Sequence, residues 1–167
     1  MRKTLRITSA CATLGLALAC GSGGGGSGGS FQDELQGSWK GCVPVNASTS
    51  TSVTFVISGT TFTATPTGFG TPDCSGVGLQ APAQSGTLSI GSPVNVQLNG
   101  QTVSAYEVDQ TITSPPAFAG TTYNLAYVDT TFTPNRLYLG DTSGTNDGHD
   151  AAHRPTALAT ALYFAKQ

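Results

Sequence analysis

The sequence of 167 residues predicts an all-β protein, a small antiparallel β-barrel of about eight strands, with a two-sheet β-sandwich as the alternative. Three observations indicate this class. Only 10% of the residues are charged, which argues against long charged helices. Apolar and polar residues alternate in many short runs, and turn residues separate those runs at hairpin spacing. No amphipathic stretch is long enough for a helix of three turns.

Two hairpins are predicted from alternating runs that flank a turn. A turn at Ser58-Gly59 or Gly59-Thr60 places five apolar residues on one buried face: Val53, Phe55, Ile57, Phe62 and Ala64. The dipeptide Asn99-Gly100 is the strongest short hairpin signal in the chain and sets the cross-strand pairs Leu98 with Gln101, Val96 with Val103, and Val94 with Ala105.

A third strand pair is predicted to turn through Thr133-Pro134-Asn135, where proline suits the turn. Its apolar positions are Tyr123, Leu125 and Tyr127 before the turn and Leu137 and Leu139 after it. A closing strand is marked by Leu158, Leu162 and Phe164, and shorter strands are predicted over residues 37–43, 77–79 and 88–90. These elements make one domain over residues 31–167.

Residues 1–19 have the features of a signal peptide, with a basic leader and an apolar stretch that ends in Leu-Ala-Leu-Ala before Cys20. This ending resembles the lipobox of bacterial lipoproteins, although Ala17 stands where that family prefers leucine. The resemblance implies cleavage before Cys20 and lipidation of its sulfur. The alternative is ordinary secretion after Ala19.

Residues 20–30 consist of the lipidated Cys20 and a pure Gly/Ser run, which is typical of a flexible tether. A tether of ten such residues reaches roughly 17 Å. Several acyl chains would make the attachment to a membrane stable. By resemblance to lipoprotein sorting, Gly21 after the cysteine is compatible with the outer membrane of a Gram-negative cell.

The mature domain is acidic. Removal of the leader takes away Arg2, Lys3 and Arg6, which leaves four basic residues against nine acidic ones and a net charge of −5. Four scattered cations cannot neutralise several phosphates, so the composition disfavours nucleic acid as a partner.

Cys42 and Cys74 are predicted to form a disulfide, because Cys11 leaves with the leader and Cys20 carries lipid. In the chain-entropy model, closing this loop of about 33 residues lowers the conformational entropy of the unfolded chain and stabilises the fold by roughly 3.7 kcal/mol. The alternative is a metal or redox site with two cysteines, which the absence of a C-x-x-C motif disfavours.

The two ends of the domain resemble the lipocalin and calycin pattern: Gly37-Ser38-Trp39 matches the G-x-W motif of the first strand, and Arg154 precedes the last strand. The resemblance implies that Trp39 plugs the closed end of the barrel and that Arg154, or else Arg136, packs over its indole. It also implies a helical turn over residues 32–35. The alternative is that Trp39 is a core aromatic at the start of a strand.

One cluster could bind metal: Asp147, His149, Asp150 and His153. The Gly/Asp/Asn/Ser-rich composition around it favours a flexible, solvated connection instead, so the sequence predicts neither a metal site nor a cofactor. Glu107 and Asp109 share one face of a strand and are expected to point outward to water. No motif positions a nucleophile, so the sequence predicts that the protein is not an enzyme.

The resemblance implies a lipid-anchored lipoprotein of the bacterial cell envelope whose small barrel binds a small hydrophobic ligand. The alternative is a structural or interaction module with a filled core, which meets an envelope protein through loop aromatics such as Phe69 or the segment 115–118. A hydrolase or metal enzyme at His149 and His153 is the third hypothesis.

Overall fold

The computed structural model describes residues 30–167. The predicted signal peptide, Cys20 and all but the last residue of the tether lie outside the described residues. The described chain begins with one short helix, α1 (Phe31–Leu35), which confirms the predicted helical turn. Nine strands follow: β1 (Gly37–Pro44), β2 (Ser50–Ser58), β3 (Thr61–Phe69), β4 (Gly78–Gln80), β5 (Gln84–Leu98), β6 (Gln101–Ser114), β7 (Gly120–Asp129), β8 (Arg136–Leu139) and β9 (Phe164–Lys166).

The strands form one antiparallel sheet with the order β2-β1-β9-β8-β7-β6-β5-β3-β4, and a further pairing of β2 with β3 closes eight of them into a ring. The ninth strand, β4, pairs only with β3 and lies outside the ring. The all-β prediction of about eight antiparallel strands in a barrel-like arrangement is confirmed. Because a single sheet closes on itself, the described residues do not form the two-sheet sandwich.

The first two hairpins have the predicted registers. In β2 and β3, Ile57 pairs with Phe62 and the turn lies at Gly59-Thr60. In β5 and β6, Asn99 and Gly100 have positive φ values of 51° and 81°, as a type I′ turn requires. The predicted partners also pair: Leu98 with Gln101, Val96 with Val103, and Val94 with Ala105.

The hairpin of β5 and β6 is longer than predicted and has a register shift between Ile90 and Pro93. Such an irregularity bends a strand and increases its twist. Beyond this bend, side chains near the hairpin tip pack against the outer face of β7 and β8. The sheet therefore has apolar clusters on both of its faces.

The inner cluster fills the ring and contains, among its buried members, Trp39, Ile57, Phe62, Ala64, Val108, Ala126, Val128, Leu137 and Phe164. The outer cluster lies beneath the bent hairpin and consists of Val96, Leu98, Ala105, Leu125, Tyr138 and Leu158, with Val103 and Tyr127 packed against it. In β7 it is thus Ala126 and Val128 that face the interior, whereas the predicted residues Leu125 and Tyr127 face outward into the second cluster.

The closing strand is shorter than predicted. Only Phe164–Lys166 forms β9, which pairs with β1 and β8 over two residue pairs each. Leu158 is buried but makes only an isolated bridge to Gly140, because residues 159–163 turn away before the last strand begins. The ring is therefore closed by three residues.

The strand directions give the ring two distinct ends. Residue 30 enters beside the start of β1, and we call this the near end. Pro44, at the other end of β1, pairs with Ser50, which pairs in turn with Phe69, so these residues mark the far end. The predicted disulfide between Cys42 and Cys74 is present and joins β1 to the loop after β3 at the far end.

Candidate functional site

The near end is built around Trp39, which is completely buried. The helix α1 lies against it, because the Trp39 indole Nε1 donates a hydrogen bond of 2.7 Å to the Leu35 carbonyl oxygen. Gly37 has a φ of +108°, a conformation that glycine adopts without strain where the chain passes from the helix into β1. Gly37 and Trp39 therefore lie at the near end of the ring, and Trp39 is a member of the inner cluster.

The prediction that Arg154 packs over the indole is wrong. The cation over Trp39 is Lys166, whose Nζ lies 5.2 Å from the ring centroid. Lys166 occupies this place because it is the direct cross-strand partner of Trp39. The second candidate, Arg136, instead lies over the rings of Phe132 and Tyr163, at 3.7 and 4.2 Å from their centroids.

Arg154 lies on the outer face of β6 and β7. Its guanidinium donates to the carbonyl oxygen of Asn124 at 2.7 Å and to Asp109 Oδ1 at 2.6 Å, and its Nε lies 3.6 Å from Glu107. Glu107 and Asp109 do point out of the ring, as predicted. They are not free in water, however, since both contact the Arg154 guanidinium. The side chain of Arg154 is only 14% exposed.

The interior of the ring is almost filled. The cavity inside it has a volume of about 40 Å³ and is lined by apolar side chains such as Phe55, Leu88 and Leu137. Ligand pockets are typically about 300–1,000 Å³. A second space of about 340 Å³ lies beside α1 at the near end, between Gln36, Thr60 and Thr87.

Two histidines and two aspartates converge in the long connection between β8 and β9. The His149 Nδ1 contacts the carboxylate of Asp147, and its Nε2 lies 3.2 Å from Asp150 Oδ2. The His153 Nδ1 lies 2.8 Å from Asp150 Oδ1, and the two imidazole rings stack with their centroids 4.2 Å apart. His149 and His153, four residues apart, are brought together here without an α-helix. His149 lies in a loop, and His153 lies in the short 3₁₀ turn that follows it, Ala151–His153.

These contacts shift the proton affinities of the cluster. The hydrogen bond that the His149 ring donates to the Asp147 carboxylate raises the pKa of His149. The same bond lowers the pKa of Asp147, and the hydrogen bond with His153 lowers that of Asp150. Each carboxylate is thereby held in its charged form, so the cluster offers negative oxygens and imidazole nitrogens at one place.

The far end carries exposed apolar side chains. Val77 is 93% exposed, Leu79 is 81% exposed, and Val45 is 63% exposed. They line one shallow groove with Phe69, whose ring lies beside Gly78. We call Val45, Phe69, Val77 and Leu79 the far-end patch. The other predicted loop aromatic, Phe118, is 54% exposed.

No helix among residues 30–167 has the length and the apolar content needed to cross a membrane. Comparison of the chain with protein-family models, with curated proteins and with solved structures finds no match.

Proposed function

We propose that this protein is a lipid-anchored module of the bacterial cell envelope that binds an extended apolar segment of another envelope protein at its far-end patch. The observation that carries this proposal is the exposure of Val77 and Leu79 beside the unpaired edge of β4. Among the described residues, β4 pairs only with β3, so its other edge offers free backbone donors and acceptors. An extended peptide can add to such an edge as a further strand.

The position of the patch favours a protein partner over the lipid surface. The chain enters at the near end, and the eight residues of β1 span about 26 Å at about 3.3 Å each. A lipid anchor attached through residues 20–30 would therefore hold the near end at the membrane. The far-end patch would then lie at the other end of the ring, away from the membrane.

The chemistry of the far end favours an apolar partner. The groove of the far-end patch is lined by residues from two segments, 45–51 and 68–79, which contain a single charged residue, Asp73. Alternate side chains of an added strand would meet Val77 and Leu79, while its backbone paired with β4. A strongly charged partner would find no counter-ions in these segments apart from Asp73.

A site-specific photo-crosslinking experiment tests this function. The full chain is produced in its own host with a photoreactive residue at position 79, and a matched control carries it at position 56. Val56 is also exposed, at 49%, but lies in the middle of β2. We expect one discrete adduct with an envelope protein from position 79, none from position 56, and loss of the adduct when Val77→Lys is added.

Three outcomes would overturn the proposal. Equal adducts from both positions would mean that the contact is not specific. An adduct with the mass of two chains would assign the patch to self-association. Adducts with lipid alone would place the far end at the membrane.

A second candidate function is the binding of a small hydrophobic ligand, which the space beside α1 favours. Leu35, Ile57 and Leu88 line both this space and the interior cavity, so a movement of α1 would join the two. Native mass spectrometry of the full chain before and after solvent extraction tests this function. A mass excess that extraction removes supports a carrier, and a bare chain supports the filled interior.

A further inference from the structure

We propose that His149, Asp150 and His153 form a binding site for one divalent transition-metal ion of the Zn²⁺ type. One ligand atom from each residue lies within 4.8 Å of the others, in a group that reaches the solvent. The site is separate from the far-end patch and independent of the proposed docking function.

The distances suit a small tetrahedral ion. Two ligand atoms that each lie about 2.0–2.1 Å from Zn²⁺ are about 3.3 Å from one another in tetrahedral geometry. The His149 Nε2 and the nearest Asp150 oxygen are already 3.2 Å apart. The stacked rings hold His153 on the same side of that carboxylate. Little rearrangement is therefore needed to place an ion among the three side chains.

Asp147 has the contact expected of a supporting residue. Metal-binding histidines usually donate their second ring N–H to a carboxylate, which fixes the tautomer. The Asp147 carboxylate contacts His149 Nδ1 in this way and leaves Nε2 directed at Asp150.

The loop is anchored on both sides of the cluster. The Tyr123 backbone N–H donates to the Gly148 carbonyl oxygen at 2.9 Å, and the Gly148 N–H donates to the His153 carbonyl oxygen at 2.8 Å. On the other side, Arg154 is held by Asn124 and Asp109. These hydrogen bonds therefore tie the backbone of the cluster to β7, although its side chains are about half exposed. A pre-organised loop loses less conformational entropy when it binds an ion.

The donor set selects the class of ion. Two imidazoles and one carboxylate suit Zn²⁺ and its first-row neighbours, whereas Ca²⁺ and Mg²⁺ require oxygen ligands alone. Three protein ligands leave the fourth tetrahedral position open to water, because the side chains of His149 and Asp150 are 55% and 49% exposed.

Calorimetric titration with ZnCl₂ tests the proposal, on the full chain made without a polyhistidine tag and in excess Mg²⁺. We expect saturable binding of one Zn²⁺ per chain. His149→Ala and His153→Ala should each weaken binding at least about tenfold, and Asp147→Asn about tenfold through loss of the supporting contact. The matched control is Asp141→Asn, which removes an exposed carboxylate of the same connection outside the cluster and should leave the affinity unchanged.

The fluorescence of buried Trp39, which lies outside the cluster, reports whether each variant is folded. A second measurement uses Zn²⁺-induced shifts of the histidine ring signals by nuclear magnetic resonance in the unmodified chain. The absence of saturable binding would overturn the proposal. Binding that persists equally in both histidine variants would assign the zinc to other groups and overturn it as well.

Discussion

Arg154 shows how a single side chain can join distant parts of the fold. It comes from the connection before the last strand, yet its guanidinium reaches a backbone carbonyl of β7 and a carboxylate of β6. It also lies over the ring of Tyr123, at 5.5 Å from the centroid. Since its side chain is only 14% exposed, these contacts replace most of its hydration. Arg154 therefore holds the long connection against the ring.

Replacing this residue should destabilise the protein. Arg154→Ala removes charge-assisted hydrogen bonds, each worth about 1.5–3 kcal/mol, and we expect the free energy of unfolding to fall by about 2–3 kcal/mol. Urea unfolding followed by Trp39 fluorescence measures this change. Arg136→Ala is the control, since it removes only stacking over two partly exposed rings, worth about 0.5–1 kcal/mol. Equal losses in the two variants would contradict the structural role of Arg154.

The proton affinity of His149 gives a second prediction at this scale. With metal removed by a chelator, its pKa in the folded protein should lie above the usual value of about 6.5, because Asp147 contacts its ring. The ion pair should stabilise the fold fully below the pKa of the unfolded chain and lose this effect as the pH rises through the folded pKa.

Titration of the two histidine ring signals by nuclear magnetic resonance measures this pKa. Asp147→Asn should lower it, and Asp141→Asn should leave it unchanged. A His149 pKa that Asp147→Asn does not alter would disprove the assignment of the shift to that contact.

Among the elements, β9 is the shortest part of the ring, and its attachment depends on one glycine. A Cβ atom on Gly41 of β1 would lie 2.6 Å from the ring of Phe164. The aromatic ring thus packs directly onto the backbone of β1. The pairing of β1 with β9 adds only two residue pairs, so this contact holds the closing strand in place.

The variant Gly41→Ala tests that contact. We expect a loss of about 1–3 kcal/mol in the free energy of unfolding, because the added methyl group forces the buried Phe164 ring to move. Thermal unfolding followed by circular dichroism measures the loss. The matched control is Gly120→Ala, since a Cβ there meets nothing within 4 Å. If both variants unfold at the same temperature, Gly41 does not have this role.

Local patterns predicted the hairpins but not which side of β7 faces the interior. The turn residues Gly59 and Asn99-Gly100 act within a few residues, so their effect is visible in the sequence. In β7, however, Leu125 and Tyr127 alternate with Ala126 and Val128, and both sets are apolar. Which set faces the interior is decided by the bent hairpin of β5 and β6, because it covers the outer face of β7. That is a tertiary contact.

The histidine cluster was also predictable only in part, because local sequence patterns do not show the contacts between distant segments. The spacing of His149 and His153 identified the candidate residues, and the composition correctly excluded an α-helix. The anchoring of the loop at Gly148 depends on a hydrogen bond from Tyr123, which is 25 positions earlier in the chain. Composition describes the local preferences of a segment, whereas this contact arises from the closure of the ring.

At the scale of the whole molecule, lipidation of Cys20 is a prediction that cell fractionation tests. The full chain should remain with the membranes and require detergent for release. Cys20→Ser should appear in the soluble fraction, because the acyl chains that give stable attachment are absent. The variant should keep its buried Trp39 emission. Equal association of both proteins with the membranes would contradict the lipid anchor.

The disulfide was predictable because the expected signal peptide contains Cys11 and the expected lipid anchor uses Cys20, which leaves one pair of cysteines. Its place in the fold adds a mechanical property. A pull between residue 30 and Val77 runs along the backbone of β1 as far as Cys42. The Cys42–Cys74 bond also gives a covalent route from β1 to the loop before Val77 that bypasses β2 and β3. Tension between the two ends of the ring would therefore reach the patch without unravelling that hairpin.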